Sequence, residues 1–596
     1  IKRFADELDM PPVPTMIDRA DGIAMIEKEL PGLRLVHYRN LWDPTRDIND
    51  ILQAISRAKD EVASPDDYRR LGEVMKATAE GFHDRTAVET AEKVLEVAKV
   101  YKRYEELKAP RKLLDFGDLV SLPVTVLERY PGIREALASK YKHVLVDEYQ
   151  DVNRSSVRLL KAIVGTGQNL WVVGDIKQSI YRFRGASSVN VDLFDKVDFP
   201  TAKVGRLTVN YRSREEIVEA FSDFAGGMKA AAGRPSRLTA DRGACGHRPE
   251  FRKTGTDKDE IAVLVEAIHE MRSLGHDFRD QAVLCTGNDK LARFGAGLES
   301  LGVPVLYLGS VFERPEIKDL LSMLAMVTDS KALGLARVAT MKPFTMSMAG
   351  LASIVAELRR DKENDWKTLN LPIPDLSPEG QQALVHLRTV LEGFDRQSRP
   401  WDVLAQVLLD RTVIAGEIGR SKEISHRAAG IAIWQFMNFI RSAPGTASPI
   451  LDMLDRIRRL VSIADDRDLR QLPPSSQGLN AVRLMTVHGS KGLEFPVVHL
   501  PGLTAASLPR SASQIQGIAP PDGLVESHGQ SGIEVRAKAH EEEQECLFYV
   551  ATSRARDRLI CYSQSRSVDD KTMNHSPFID RIVPAPRMVT PTLKVP

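Results

Sequence analysis

The sequence predicts an α/β protein of several domains, in which parallel sheets alternate with covering helices and helical segments are set between them. Three observations lead there. A chain of 596 residues is too long for one hydrophobic core and, at roughly 150 residues per domain, should hold about three to five. From Tyr141 onward, short apolar runs end in polar or acidic residues (HVLVDE, LWVVGD) and give way to helical patterns such as SSVRLLKAIV, which is how a parallel sheet reads. The same texture restarts near Leu207, stops, and resumes at VRLMTVHG, so a helical insertion is expected inside the second sheet.

In chain order, residues 1–115 are expected to be a helical subdomain, on periodic stretches such as TAEKVLEVAKVYKRYEELK and few strand signals. Residues 116–206 carry the first strand–helix alternation. The second α/β section covers 207–330 with QAVLCTG, an amphipathic segment from Asp289 to Leu301, and VPVLYLG. Residues 331–478 return to helices. One helix should start at Ser448 as N-cap with Pro449 in the first position, presenting Ile450, Leu454, Ile457 and Val461 on one face. Strand texture resumes over 479–596, with FPVVHLPGL and RLICYS after VRLMTVHG. Ligands of such sheets sit at the carboxyl ends of the strands, so the chemistry should follow those apolar runs directly.

Bulk composition adds little about partners. With 43% hydrophobic and 27% charged residues the chain reads as ordinary globular material, and no apolar run approaches the roughly 20 residues that span a bilayer. No membrane partner and a cytoplasmic location are expected. A net charge of +1 is compatible with a nucleic-acid motor, which can confine its basic residues to one groove. Cys245, Cys285, Cys546 and Cys561 form no CxxC pair and suggest neither zinc nor a disulfide framework.

Five segments carry chemistry. In VLVDEYQD, Asp147 and Glu148 follow three apolar residues. Two carboxylates at a strand's end suit a magnesium nucleotide, one holding the cation and the other orienting or deprotonating the attacking water. Taken alone, such a pair more often marks a solvated acidic turn. The next strand ends in VVGDIKQSIYRFRGA, where Gln178 can hydrogen-bond both a terminal phosphate and the lytic water. The same segment interleaves Tyr181 and Phe183 with Arg182 and Arg184; rings stack on bases at about 1–3 kcal/mol each and arginines neutralise phosphates. For either ring in isolation, core packing is the commoner explanation. LTVNYRSREEIV offers Arg212, which a second domain could present to the terminal phosphate as the two domains close; a surface ion pair is its plainer meaning. EEEQECLFYVATSRARDRLI offers Arg554, with Arg556 and Arg558 expected on solvated faces. Between them, VRLMTVHGSKGLEFPVV places Thr486, His488, Gly489, Ser490, Lys491, Gly492 and Glu494 in a polar turn between two strands. That turn can present N–H groups and hydroxyls to a DNA phosphate and a carboxylate to a nucleotide sugar.

In this order and spacing the five segments resemble the UvrD/Rep branch of superfamily 1 helicases, and LLDFGDLV and VFERPEIKDLL also look like motifs of that family. The resemblance implies two RecA-like P-loop NTPase domains, each with a helical insertion, and an ATP- and Mg2+-dependent motor moving 3′ to 5′ on single-stranded DNA and opening duplex DNA in repair or recombination. It implies Asp147 as the magnesium residue, Glu148 as the base, Gln178 as the phosphate sensor, and Arg212 and Arg554 as arginine fingers. Phe183 stands where the family often stacks a tryptophan on a DNA base, and Glu494, beside Gly492, where a glutamate contacts the ribose. Tyr181, Arg184, Thr486 and His488 fall to the DNA side. GDIKQSIYRFR, with Lys177, looks closer to helicase-nuclease subunits similar to AddA and RecB, which implies a helicase-nuclease partner subunit and a bacterial, nucleoid-associated protein.

One departure stands out. No GxxxxGK[ST] loop, the backbone cradle and lysine that hold nucleotide phosphates, occurs in the 596 residues. The family places that loop, an adenine-contacting glutamine and the first DNA-binding motifs ahead of the position of Ile1. The chain is therefore expected to begin roughly one hundred or more residues into such a protein, and alone not to hydrolyse ATP efficiently. No DYK-like nuclease signature is found before Pro596. A rival from another class is a non-catalytic helicase-like protein that binds DNA or a partner; keeping every phosphate-facing group from Asp147 to Arg554 argues against it. A nucleic-acid-independent ATPase or P-loop kinase would leave Tyr181–Arg184 without a purpose.

Overall fold

The computed structural model describes residues 10–11, 13–40, 42–181, 188–232, 237–441, 448–465, 469, 473, 476, 478–512, 517–525, 531–567, 570–583 and 585–593. The chain divides into two compact units, one of residues 1–301 with 482–596 and one of 302–481.

The first unit opens with helices Arg19–Glu27, Pro44–Asp60, Pro65–Gly81 and Arg85–Lys108. Their starts follow from local chemistry. Asp18 and Ser64 each form a capping box with the aspartate three residues on, and the Asp84 side chain accepts from the Thr86 and Ala87 amides, which satisfies N–H groups that have no partner inside the helix. Helix Arg85–Lys108 buries Ala91, Val94, Ala98, Tyr101 and Tyr104, an i, i+3, i+4 stripe. Thr15–Met16 pairs in parallel with Leu113–Leu114, tying the two ends of this helical region together. Beside that seam, Lys59 and Lys108 lie buried among Glu105, Asp115 and Asp118, with ammonium–carboxylate distances of 2.6–3.0 Å. Glu105, Asp115 and Asp118 are spaced as a cation would need, and the two ammonium groups fill that role.

Two sheets follow. Strands β1 (Val144–Val146) and β2 (Leu170–Val172) pair in parallel, joined through helix Arg154–Val164. Six strands of the larger, seven-stranded sheet lie in this unit: β3 (Glu250–Thr254), β4 (Gln281–Cys285), β5 (Val482–Thr486), β6 (Phe495–Leu500), β7 (Ala555–Gln564) and β8 (Arg587–Met588), in the spatial order β8-β3-β7-β6-β4-β5, every pair among them parallel. This is the α/β architecture with parallel sheets that the strand–helix alternation predicts. β4 is buried at all five positions, as a strand covered on both faces must be. Helices Glu215–Gly226 and Gly532–Thr552 pack on the sheet through Phe221, Phe224, Phe548 and Tyr549, with the Phe224 and Phe548 rings 4.9 Å apart.

The second unit is helical, with Pro315–Thr328, Met348–Arg360, Pro378–Val390, Ile424–Arg441 and Pro449–Ser462 as its longer elements. Trp366 is fully buried there and its indole N–H donates to the Met326 carbonyl at 3.1 Å. The unit begins at Gly302, where the sequence reading has helices only from 331. Val305–Leu306, in the apolar run read as part of the second α/β section, forms a short strand. Helix Pro449–Ser462 starts where expected, but the Ser448 side chain makes no capping bond, and the buried stripe is Ile450, Met453, Ile457 and Leu460. Val461 is 39% exposed: Ile450, Leu454, Ile457 and Val461 would also share one face by the 3.6-residue period, so packing rather than periodicity turns the helix toward Met453 and Leu460. Among the described residues no helix is long and apolar enough to cross a membrane.

Candidate functional site

All the site residues considered below belong to the first unit. Val146 lies opposite Val172 in the β1–β2 register, so Asp147–Asp151 and Gly174–Tyr181 leave from the same carboxyl edge. The Tyr149 amide donates to the Val173 carbonyl at 2.9 Å and continues the pairing past the strands. Asp147 is exposed, and its Oδ1 accepts the Glu148 amide at 2.8 Å. Glu148 adopts a left-handed backbone, φ 52° and ψ 41°, which costs a residue with a Cβ about 1–2 kcal/mol. Gln150, buried, holds the two segments together. Its Nε2 donates to Glu148 Oε2, its Oε1 accepts the Asp175 amide at 2.9 Å, and its carbonyl accepts the Ser179 hydroxyl at 3.1 Å. A Cβ on Gly174 would stand 2.7 Å from Gln150 Oε1 and 3.2 Å from backbone nitrogens of this segment, so glycine permits the close approach.

Gln178 ends a short 3-10 turn, Ile176–Gln178, whose start is capped by Asp175 through the Lys177 amide at 3.1 Å. Its Nε2 donates to Asp175 Oδ2 at 3.1 Å, leaving Oε1 to accept Arg554 Nη2 at 3.2 Å. Arg554 follows helix Gly532–Thr552 and is 1% exposed. Its guanidinium is braced by the Val550 carbonyl at 3.1 Å, the Leu493 carbonyl at 3.2 Å and the Ser553 hydroxyl at 3.1 Å. Burial, with the Arg212 charge adding to it, pulls the Arg554 guanidinium down to about 10. Arg212 donates to Glu494 Oε2 at 2.9 Å and to the Ser553 carbonyl at 3.2 Å. The Asn210 side chain fixes the Arg212 backbone by accepting its amide at 3.0 Å.

The turn between β5 and β6 completes the cluster. Thr486 Oγ1 accepts the Gly489 amide at 3.1 Å, and Gly492, at φ 81°, supplies the left-handed residue the reversal needs. Lys491, 7% exposed, forms an ion pair with Asp151 Oδ2, stands 3.6 Å from Glu148 Oε2 and donates to the Gln178 carbonyl at 2.8 Å. Burial raises the Asp151 carboxyl, and the Lys491 ammonium works against that shift. Lys491 Nζ also sits 5.1 Å from the centre of the Tyr181 ring, and the Tyr181 hydroxyl donates to the His488 carbonyl at 3.3 Å.

The structure thus joins Glu148, Gln178, Arg554, Arg212 and Glu494 through side chains, with Tyr181, His488 and Thr486 at the other end of the same turn. Asp147 stands exposed beside Glu148 and makes no such link. Phe183 and Arg184 lie outside the described residues. Sequence reading gave Lys491 no role of its own and did not single out Asp151; the acid three residues after Glu148, facing a lysine 340 positions away, gives no local signal. It also passed over Tyr211, 71% exposed, which lines a cavity of about 580 Å³ with Arg212, Arg242, Glu494 and Arg556. Arg556, expected on a solvated face, is half-buried in that wall.

Comparison with known proteins extends the geometry. The family model described as the UvrD/REP helicase N-terminal domain matches residues 2–199, and that of the UvrD-like helicase C-terminal domain matches 206–362 and 420–566. The chain is 27% identical over 552 residues to the ATP-dependent DNA helicase PcrA of Bacillus subtilis (strain 168), covering 91% of this chain and 68% of that protein. It is 25% identical over 590 residues to PcrA of Staphylococcus epidermidis (strain ATCC 12228), covering 97% and 73%, and 24% identical over 589 residues to PcrA of Staphylococcus aureus (strain COL), covering 97% and 73%.

Proposed function

The chain belongs to the UvrD/Rep helicase family, and from that premise we propose that it is the motor of an ATP-dependent helicase that moves 3′ to 5′ on single-stranded DNA in repair or recombination. The observation that carries the reading is the hydrogen-bond path from the Gln178 side chain through Arg554, the Ser553 hydroxyl and carbonyl, and Arg212 to Glu494, with Glu148 linked to the Gln178 carbonyl by Lys491.

In this reading ATP binds across the path. Asp147, whose Oδ1 is taken by the Glu148 amide, offers its other carboxylate oxygen as the hard donor that magnesium prefers; the ion would screen phosphate charge when bound. Glu148 takes the proton from the attacking water, and Gln178 orients that water against the terminal phosphate. Arg554 and Arg212 stabilise the charge that builds on the transferred group, a contribution worth about 10³–10⁵ in rate for such arginines. Glu494 and Gly492 face the sugar, and the exposed Tyr211 ring offers the base a stacking surface. On the DNA side, Tyr181 and Phe183 stack on bases while Arg184 and the Thr486–Gly489 turn meet phosphates. Because one segment, Gly174–Arg184, carries both Gln178 and Tyr181, hydrolysis and strand movement share a lever.

The test uses the protein expressed from its complete reading frame. Glu148→Gln should lower ATP turnover by about 10²–10⁴ while a fluorescent ATP analogue still binds, and wild-type turnover should rise with added oligo-dT. Near-normal hydrolysis by the variant would remove Glu148 as base. Turnover indifferent to DNA would favour a nucleic-acid-independent ATPase, and DNA binding without any turnover a non-catalytic relative.

A further inference from the structure

Lys491 touches both the Glu148–Gln178 cluster and Tyr181. Its ammonium bonds to Asp151 Oδ2 and the Gln178 carbonyl and reaches Glu148 Oε2 at 3.6 Å. Its stem leaves the turn formed by His488–Ser490, whose first carbonyl accepts the Tyr181 hydroxyl, and the ammonium lies against the Tyr181 ring. The contacts are not equal. Asp151 is 18% exposed at its side chain and keeps Oδ1 buried without a hydrogen-bond partner, so it depends on Lys491 for its charge balance; Glu148 is 49% exposed and shares the same cation at longer range. Both the Lys491 and the Gln150 contacts fall on Glu148 Oε2, so together they fix which way the carboxylate faces.

We propose that Lys491 is a positioning residue that makes ATP hydrolysis answer to DNA: it restrains the Glu148 carboxylate, and DNA engaging Tyr181 and the His488 turn draws the ammonium away from Glu148, while its bond to Asp151 is kept, and releases that restraint. The proposal rests on the functional reading above, in which Glu148 is the base and Tyr181 and His488 face DNA. The physical requirement is small. The Glu148 contact is the longer and more exposed of the two, so a move of the turn by about 1 Å opens it to water, where the pairing is worth little, while the shorter pairing with the shielded Asp151 holds the ammonium. Such a coupling belongs with those of about 1–3 kcal/mol that link distinct sites.

The experiment compares ATP turnover at saturating ATP with and without oligo-dT, for the complete protein and for Lys491→Met. The variant should show raised turnover without DNA and a stimulation ratio reduced by about tenfold. Because Lys491→Met leaves Asp151 buried without its cation, the double variant Lys491→Met/Asp151→Asn is measured beside it and should show the same loss of ratio in a well-folded protein. A residue of merely structural importance would lower turnover equally with and without DNA; an unchanged ratio in the double variant therefore overturns the proposal while leaving the functional reading intact. A wild-type protein that DNA fails to stimulate overturns both.

Discussion

Arg554 Nη2 donates to Gln178 Oε1 at 3.2 Å across 376 positions of sequence, and the same guanidinium is held from behind by two backbone carbonyls. An arginine fixed in this way is aimed before a nucleotide arrives, so little side-chain freedom is lost when it meets a phosphate. Arg554→Lys keeps a positive charge but cannot span Val550, Leu493 and Gln178 at once. We expect the maximal turnover to fall by about 10²–10³ with a much smaller change in the KM for ATP, read by steady-state ATPase assay; equal damage to both constants would mean that Arg554 serves binding alone.

In the proposed reading Tyr181 stands on the DNA side. Its hydroxyl bonds to the His488 carbonyl, and its ring, against Lys491, is the part proposed to stack on a base. Tyr181→Phe should change oligo-dT affinity little, whereas Tyr181→Ala should weaken it by about 1–3 kcal/mol, roughly 5–150-fold, in fluorescence anisotropy. If both variants bind as the wild type does, the ring belongs to the core.

Asp60 gives a pH signature independent of catalysis. Its carboxyl is pushed up to about 7 by burial, with the Asn153 hydrogen bond at 2.5 Å opposing the shift. In the unfolded chain it ionises near 3.8. Below about 4 both states hold the proton and nothing is lost; as pH rises from about 4 to 7 the unfolded state releases its proton first, so the fold loses stability across that window. Asp60→Asn retains an acceptor for Asn153 and removes the penalty. It should be the more stable protein by ~4 kcal/mol at pH 7.5, each pKa unit being worth ~1.4, with the gap closing as urea melts are repeated toward pH 4.

The Lys59–Lys108 cluster predicts the opposite sign. Asp118 bonds to both ammonium groups at 2.6 Å, so Asp118→Ala leaves two buried cations short of charge. A loss of about 3–5 kcal/mol is expected, read from the chemical midpoint, while the triple variant Lys59→Met/Lys108→Met/Asp118→Leu should recover part of it. A neutral single variant would show that water reaches the cluster.

Much of this was legible in the sequence because the chemistry is local. Asp147 and Glu148 follow an apolar strand, Gln178 follows the next, and Arg212 sits two residues past Asn210, which fixes its backbone; motif spacing alone groups them. What escaped reading depends on distance or on a one-residue choice. Lys491 and Asp151 meet only because two sheets bring their carboxyl edges together. In helix Pro449–Ser462 both Leu460 and Val461 are apolar, and only packing selects Leu460.

The strand order of the large sheet also sets a timetable for the ribosome. β3 and β4 are made early, yet they do not pair with each other: β3 lies between β8 and β7, and β4 between β6 and β5. The partners of β4 emerge about 200 residues later, roughly 10–40 s at ordinary elongation rates. Until then the nascent chain carries both strands without their sheet partners while the helical unit that follows them is completed, and β4, buried at every position of the finished sheet, is what a chaperone, or a neighbouring nascent chain, meets first.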